Sequence, residues 1–267
     1  MRRLAIAFST LIAVAGLAAS VGAETIAPKE KVMLWNGKDF TRWKMFVKDP
    51  AYDVTKTWTI KDGVIHCTGT PSGYLRTVND YANYKIHVEY RWADPDPKIK
   101  RNTGVLVHMS EPDAVWPKSI ECQGMMGNAG DFYVIEGTDF REHRDLVAKE
   151  QAKEAEAGKG VEAAKEEGKA KEGGKAQSAG KEEGKKGGKA KAKGPTRRVP
   201  KMAASSEKPL GEWNTYEVTC KDNTITVTIN GVLQNKATET NVSSGKILLQ
   251  SEGGAIEFRN IYLDPAP

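Results

Sequence analysis

The sequence is poor in cysteine, and its few cysteines are not spaced for a metal or redox site. Cys67, Cys122 and Cys220 are far apart, and neither a Cys-x-x-Cys nor a His-x-x-x-His spacing occurs, so nothing supports a zinc site. Three cysteines allow one disulfide bond at most, and their apolar neighbours suit buried free thiols. We predict buried free cysteines and assign no metal or other cofactor, while a divalent metal is not excluded.

Long apolar runs are equally scarce. The run Leu4–Leu17 follows Arg2 and Arg3, is too short and too rich in alanine for a membrane anchor, and precedes the small-residue sequence Val21-Gly22-Ala23. This pattern is typical of a secretory signal. We therefore predict a signal peptide over residues 1–23, a periplasmic or secreted protein, and no membrane-spanning segment after cleavage.

Positive charge is concentrated in one tract. Between residues 149 and 193, 13 Lys accompany 9 Glu, so this tract holds almost all of the formal net charge of +5. Aromatic residues are absent from residues 147–208, where Lys, Glu, Gly and Ala dominate, and we predict a long disordered insertion there. The remainder is nearly neutral, which argues against a nucleic-acid partner. An alternative is that the tract is the functional part, binding polyanions or the cell envelope.

The segments 24–146 and 209–267 remain, and together they are long enough for one substantial core. Tyr84–Trp92 alternates apolar and polar residues, and two strand-like runs in Thr57–Cys67 surround the turn signal Asp62-Gly63. No convincing amphipathic helix of more than about ten residues interrupts these short strands. The pattern predicts an all-β fold, a two-sheet antiparallel sandwich of jelly-roll type, with the charged insertion in a loop.

The triplet Glu121-Cys122-Gln123 is the strongest candidate for a functional site. On a strand, Ile120 and Cys122 would face the core while Glu121 and Gln123 point together from the other face. A carboxylate beside an amide on a rigid strand suits the binding of sugar hydroxyls or the transfer of a proton. We expect the site to be built around this pair.

Other residues have a functional and a structural interpretation. His108 ends an apolar strand and is either a catalytic base or a buried structural histidine, and Glu89 and Arg91 form either a binding site or a same-face ion pair. Tyr133 either stacks on a sugar or fills the core. The remaining candidates for substrate contacts are Asp131, Trp116 and Gln250.

Six motifs in this order resemble the 3-keto-disaccharide hydrolase domain family: Leu34–Phe40, Trp58–Ile65, Asn102–Val105, Ile120–Gln123, Gly130–Tyr133 and Leu249–Ile261. The resemblance covers essentially all of the globular part. It implies a concanavalin-A-like lectin/glucanase fold, a bacterial exported protein, and hydrolysis of glycosides whose sugar carries a ketone at C3. Family-16 glucanases, on the same type of fold, use Glu-x-Asp-x-x-Glu, and Glu121, Gln123 and Met126 occupy the matching positions. Because the second carboxylate is missing, we do not expect a two-carboxylate retaining mechanism on this strand.

A C3 ketone makes the proton at C2 acidic. A base could remove it, the enolate could expel the C1 substituent, and water could then add back. Glu121 is the first candidate for the base, with His108 or His87 as alternates, and Gln123, Arg91 and Gln250 are candidate donors to the substrate. The competing hypothesis is a non-catalytic, lectin-like carbohydrate-binding module, because this architecture serves both roles. Either way the expected partner is a carbohydrate, and the oligomeric state stays open.

Overall fold

The computed structural model describes residues 24–96, 98–171 and 196–267. The predicted signal peptide and residues 172–195 of the charged tract lie outside the described residues. Two antiparallel sheets pack face to face, which confirms the predicted all-β jelly-roll sandwich. Among the described residues, no helix combines the length and apolarity that a membrane span requires.

The first sheet has seven strands in the order β12-β11-β10-β9-β16-β6-β3. These strands are β3 (Trp43–Val47), β6 (Gly73–Thr77), β9 (Gly104–Met109), β10 (Ser119–Gln123), β11 (Phe132–Ile135), β12 (Arg198–Val199) and β16 (Lys246–Ser251).

The second sheet has eight strands, seven of them in the order β15-β14-β13-β8-β17-β5-β4, with β2 also paired to β17. Its members are β2 (Val32–Met33), β4 (Trp58–Lys61), β5 (Val64–Cys67), β8 (Tyr84–Trp92), β13 (Asn214–Lys221), β14 (Thr224–Ile229), β15 (Val232–Thr238) and β17 (Ile256–Pro265). The short strands β1 (Thr25–Ile26) and β7 (Asp80–Tyr81) pair with each other, and a 3-10 helix spans Val54–Lys56.

Alternation along the strands places the core between the sheets. In β8, every second residue from Tyr84 to Trp92 is buried, as predicted. Strand β10 likewise sends Ile120 and Cys122 into the inter-sheet core, where both are fully buried. Cys67, Cys122 and Cys220 are buried free thiols, also as predicted.

The charged tract differs from the predicted disorder where it is described. Helix α1 runs over Arg141–Lys171, and its start is tied to the sandwich because Phe140 is buried and Glu142 accepts hydrogen bonds from Thr238. The chain returns beside the start of this helix, where His143 Nε2 lies 2.9 Å from the Thr196 carbonyl oxygen. Strand β12 then extends the seven-stranded sheet beyond β11. Tertiary contacts therefore order both flanks of a tract whose composition indicated disorder.

Candidate functional site

The candidate site lies on the outer face of the seven-stranded sheet. Because Ile120 and Cys122 face the core, Glu121 and Gln123 project together from the opposite face, as the sequence indicated. In the register of the sheet, Tyr133 of β11 lies opposite Glu121 on one side, and Gly104 of β9 lies opposite Gln123 on the other. Polar side chains from β10 and β11 thus meet here, beside Gly104 of β9.

A cavity of about 200 Å³ opens above this part of the sheet. Its lining includes four residues that the sequence had suggested, namely Glu121, Gln123, Tyr133 and Trp116. It also includes residues that had not been considered: Lys100, Asn102, Met125, Ile135, Arg197 and Glu252. The volume lies below the roughly 300–1,000 Å³ of typical drug-binding pockets, so the cavity suits a small ligand.

Glu121 is the most unusual group in the cavity. Its side chain is 5% exposed, and its Oε1 atom has no hydrogen-bond partner within the described residues. Gly104 makes the space for it, because a Cβ atom there would lie 3.0 Å from Glu121 Oε1 and 3.2 Å from Gln250 Oε1. Burial raises the pKa of Glu121 to about 8, with a further rise from Glu252 and an opposing effect of Arg197.

Two neighbours share this lack of partners. Asn102 Oδ1 and both polar atoms of the Gln250 side-chain amide are buried and unpaired within the described part of the chain. Buried polar atoms are nearly always hydrogen-bonded, so several unpaired atoms beside one cavity indicate a place for the polar groups of a ligand. Gln250 lies on β16, the neighbour of β9, and is not part of the cavity lining.

Gln123 has a defined structural task. Its Oε1 atom accepts hydrogen bonds from the backbone N–H groups of Gly124 at 2.9 Å and Met125 at 2.8 Å. The side chain therefore fixes the start of the glycine-rich loop 124–130, which brings Met125 into the cavity lining.

A second carboxyl group and two cations complete the cavity. Glu252 is half-buried, and burial raises its pKa while Lys100 and a hydrogen bond from Asn102 oppose the rise. Arg197 and Lys100 are exposed and border the same space. Asn102 and Glu252 lie inside two of the family-like motifs, so the sequence did carry a signal for them. No sequence signal pointed to Arg197, because it lies in the tract predicted to be disordered.

His108 lies outside the cavity. Its backbone φ of 57° coincides with a bulge in the pairing of β9 with β16, and this turns the ring toward the core, edge-on to Tyr84. There His108 Nδ1 lies 3.2 Å from the Val242 carbonyl oxygen, and burial lowers the pKa of His108 to about 4. The structural interpretation of this histidine therefore fits its position.

Asp131 is also a structural residue in this fold. It is 1% exposed and accepts hydrogen bonds from Arg198 Nε at 2.7 Å and from the Lys201 backbone N–H at 2.8 Å. These bonds hold the chain after the charged tract against the sheet, so Asp131 helps to position Arg197 without lining the cavity.

Glu89 and Arg91 belong to the other sheet. They project from the outer face of β8, where Glu89 binds Arg259 at 2.6 Å and Arg91 binds Glu257. His87, an alternate base, lies on this same face. The whole inter-sheet core separates these residues from Glu121, so they form a same-face charge network and not part of the cavity.

A larger depression of about 590 Å³ lies at the surface near Asn83 and Asp222. Its acidic residues, Asp222 and Glu239, are exposed, so it offers no desolvated group comparable to Glu121. Within residues 24–96, 98–171 and 196–267, no group of three or more His, Cys, Asp or Glu side chains could hold a metal ion.

Comparison with known families identifies the relationship. A family model described as the 3-keto-alpha-glucoside-1,2-lyase-like domain matches residues 30–264. The chain belongs to this family. The resemblance found from the sequence motifs is thereby confirmed, and membership of the 3-keto-alpha-glucoside-1,2-lyase-like family supports a carbohydrate-active function and a carbohydrate ligand.

Solved structures agree on the fold. A candidate glycosyl hydrolase from Parabacteroides distasonis is 21% identical, with a TM-score of 0.51 over 88% of this chain and 94% of that chain. A second from the same organism is 16% identical, with a TM-score of 0.50 over 88% of this chain and 98% of that chain. At these identities the likeness shows the fold alone. A comparison with curated proteins finds no relative.

Proposed function

We propose that this protein cleaves glycosides whose sugar carries a ketone at C3, by elimination across C1 and C2 with Glu121 as the base. The observation that carries the proposal is the buried carboxyl group of Glu121, whose Oε1 atom is unpaired within the described residues, in a cavity of about 200 Å³. The description of the family as 1,2-lyase-like supports the elimination step.

The proposed reaction proceeds through an enolate. Glu121 removes the proton at C2, and the electron pair delocalises onto the ketone oxygen at C3. The enolate then re-forms the ketone as the C1–O bond breaks, which leaves a C1–C2 double bond and an alkoxide that takes up a proton. Addition of water across this double bond completes hydrolysis. The route needs one base, one stabiliser of the enolate oxygen and one acid.

The environment of Glu121 suits the role of base. A carboxylate with a pKa of about 8 is a much stronger base than an ordinary one, since burial destabilises its charged form. At neutral pH most of the free protein carries protonated Glu121, and the active carboxylate form increases as the pH approaches 8. The lone position of Glu121 on β10 also fits a reaction that uses a single base.

Other lining residues supply the remaining roles. The Lys100 ammonium and Arg197 guanidinium groups border the cavity and can stabilise negative charge on the enolate oxygen. Glu252, whose pKa is raised by burial, is the candidate acid for the leaving oxygen. Gln123 remains a candidate for binding sugar hydroxyls, and its neighbour in the lining, Asn102, becomes one.

Aromatic and apolar groups border the cavity as well. Trp116 is 39% exposed, and Tyr133 is half-buried, so both can offer a ring face to a sugar or to its leaving group. We propose in addition that the protein is exported, on the basis of Arg2, Arg3 and the apolar run that follows them.

The proposal is tested by release of the leaving group from a 3-keto-glucoside and from the ordinary glucoside, with purified protein, with and without a chelator. We expect release from the keto compound alone. Equal release from both compounds would contradict the need for the ketone. No release from either, with saturable binding of one, would favour the carbohydrate-binding module.

A further inference from the structure

The loop between β9 and β10 crosses the outer face of the seven-stranded sheet. We call residues 110–118 the strap. Its base is closed by a hydrogen bond from the Ser110 N–H to the Lys118 carbonyl oxygen at 3.1 Å. The strap carries Trp116 into the lining of the Glu121 cavity.

The sheet beneath the strap forms a continuous row. Glu121 lies opposite Leu106 of β9, Leu106 lies opposite Leu248 of β16, and Leu248 lies opposite Arg76 of β6. These four residues occupy one line across four adjacent strands. With strands about 4.8 Å apart, the backbones at Glu121 and Arg76 are about 14 Å apart.

The strap is attached to the far end of this row. Asp113 accepts hydrogen bonds from Arg76 Nε at 2.7 Å, from Arg76 Nη2 at 2.9 Å and from the Tyr74 hydroxyl at 2.9 Å. Glu111 lies 3.0 Å from the same guanidinium group. Because the Arg76 side chain is only 5% exposed and the contact with Asp113 is bidentate, this attachment is geometrically specific.

The middle of the row is covered. Leu106 is 1% exposed and Leu248 is fully buried, although both face away from the inter-sheet core. The strap reaches Arg76 through Asp113 at one end and the Glu121 cavity through Trp116 at the other. The path of the strap between these two ends therefore runs along the row, on the side toward which the two leucines face.

We infer that the strap, held by Asp113 on Arg76, restricts the enzyme to glycosides in which the keto sugar is the terminal unit. A sugar chain that continued across the strands from the keto sugar would need the surface over Leu106 and Leu248, which the strap occupies. The inference deepens the proposed function and rests on it, since it concerns which 3-keto-glycosides reach Glu121.

Two substrates and two variants test the inference. The first substrate is a disaccharide with a terminal 3-keto sugar, and the second is a trisaccharide with the same keto sugar in the middle. Asp113→Ala releases the strap, and the double variant Arg76→Met/Asp113→Ala does so without leaving a buried guanidinium short of its partner. Asp264→Asn is the control, because it removes the ion pairs of a carboxylate on the other sheet with Lys31 and Lys85.

We expect wild type and Asp264→Asn to cleave only the terminal keto sugar efficiently. In both strap variants the ratio of kcat/KM for the disaccharide to kcat/KM for the trisaccharide should fall at least tenfold, because kcat/KM for the trisaccharide rises. The KM for the disaccharide should rise, because Trp116 loses its support. An unchanged preference in both variants, or a wild type that cleaves both substrates equally, would overturn the inference.

The outcome can be separated from a failure of the proposed function. If no form cleaves either sugar, the proposed reaction is wrong, and binding of the same two sugars is measured by calorimetry. Trisaccharide binding gained only by the strap variants would still support the strap as a limit on ligand size. Equal trisaccharide binding by all forms, or none by any form, would overturn it.

Discussion

The outer face of each sheet carries a glutamate, and the two glutamates differ in burial and in hydrogen-bond partners. On the eight-stranded sheet, Glu89 is bound by Arg259 and Asn260, and the guanidinium of Arg259 lies 3.9 Å from the ring centre of Trp213. On the seven-stranded sheet, Glu121 is more deeply buried and has an unpaired oxygen within the described residues. Glu89 has its partners in the fold, whereas the described residues supply no partner for one oxygen of Glu121.

This difference separates a structural surface from a functional one. A paired, partly exposed carboxylate keeps its charge at modest cost, and hydrogen bonds from Asn260 and Arg259 outweigh burial to lower the pKa of Glu89. An unpaired buried carboxyl group costs free energy, which a fold tolerates chiefly where a ligand or a reaction needs it.

The largest effect is expected for Glu121→Gln. The amide keeps the shape but cannot act as a base, so kcat/KM for a 3-keto-glucoside should fall about 100- to 10,000-fold. The thermal unfolding temperature should not fall, because the variant replaces a buried carboxyl group with an amide of the same shape and leaves the packing intact. Leaving-group release and thermal denaturation measure the two outcomes. A near-normal rate would show that Glu121 is not the base.

A second comparison uses the two charges that act on Glu121 in opposite directions. Because Glu252 raises the pKa of Glu121 and Arg197 lowers it, Glu252→Gln should move the inflection of the pH–rate profile below about 8, and Arg197→Gln should move it above. Each variant should also lose about 10- to 100-fold in rate, as an acid or an enolate stabiliser is removed. Shifts in the same direction would contradict the assigned cavity.

A third prediction concerns stability. The pKa of Glu121 is about 8 in the folded protein against an ordinary 4.5, so between these values the folded state binds the extra proton. Its contribution to the free energy of unfolding is fully present below pH 4.5 and is lost as the pH rises through 8. Urea denaturation from pH 5 to 8 should show this decline in wild type and a smaller decline in Glu121→Gln. Identical slopes would argue against a buried carboxyl group.

The smallest effect is expected for Glu89→Gln. We expect kcat/KM to stay within about twofold of wild type and the free energy of unfolding to fall by less than about 1 kcal/mol, as for other partly exposed ion pairs. The pKa of Glu89 is lowered, so its stabilising contribution is present above the ordinary pKa and is lost as the pH falls through the folded value. A large loss of activity would show that the outer face of the eight-stranded sheet takes part in the reaction.

The fold could be predicted because local patterns agree with it. The alternation in Tyr84–Trp92 and the opposite orientation of Glu121 and Cys122 follow from the two-residue period of a strand. The same alternation could not say which sheet a strand joins. Glu89 and Arg91 project outward as expected, yet from β8, and only the long-range pairing of the strands reveals that this is the wrong sheet.

The sequence did not reveal the orientation of His108 or three residues of the cavity, because these depend on contacts that composition does not show. The positive φ of His108 reverses the alternation at the end of β9, and nothing in the local sequence marks it. Arg197 lies in a tract that composition indicates is disordered, but the bonds of Asp131 to Arg198 and Lys201 fix the backbone next to it. Glu252 and Asn102 were visible within motifs, but only their shared cavity gave them a role.

The most direct test of the central claim follows the hydrogen at C2. A 3-keto-glucoside carrying deuterium at C2 is incubated with the protein, with Glu121→Gln as the control for spontaneous exchange. We predict slower cleavage than for the unlabelled sugar and loss of the deuterium to water. Cleavage at the same rate with all the deuterium retained in the product would contradict proton removal by Glu121.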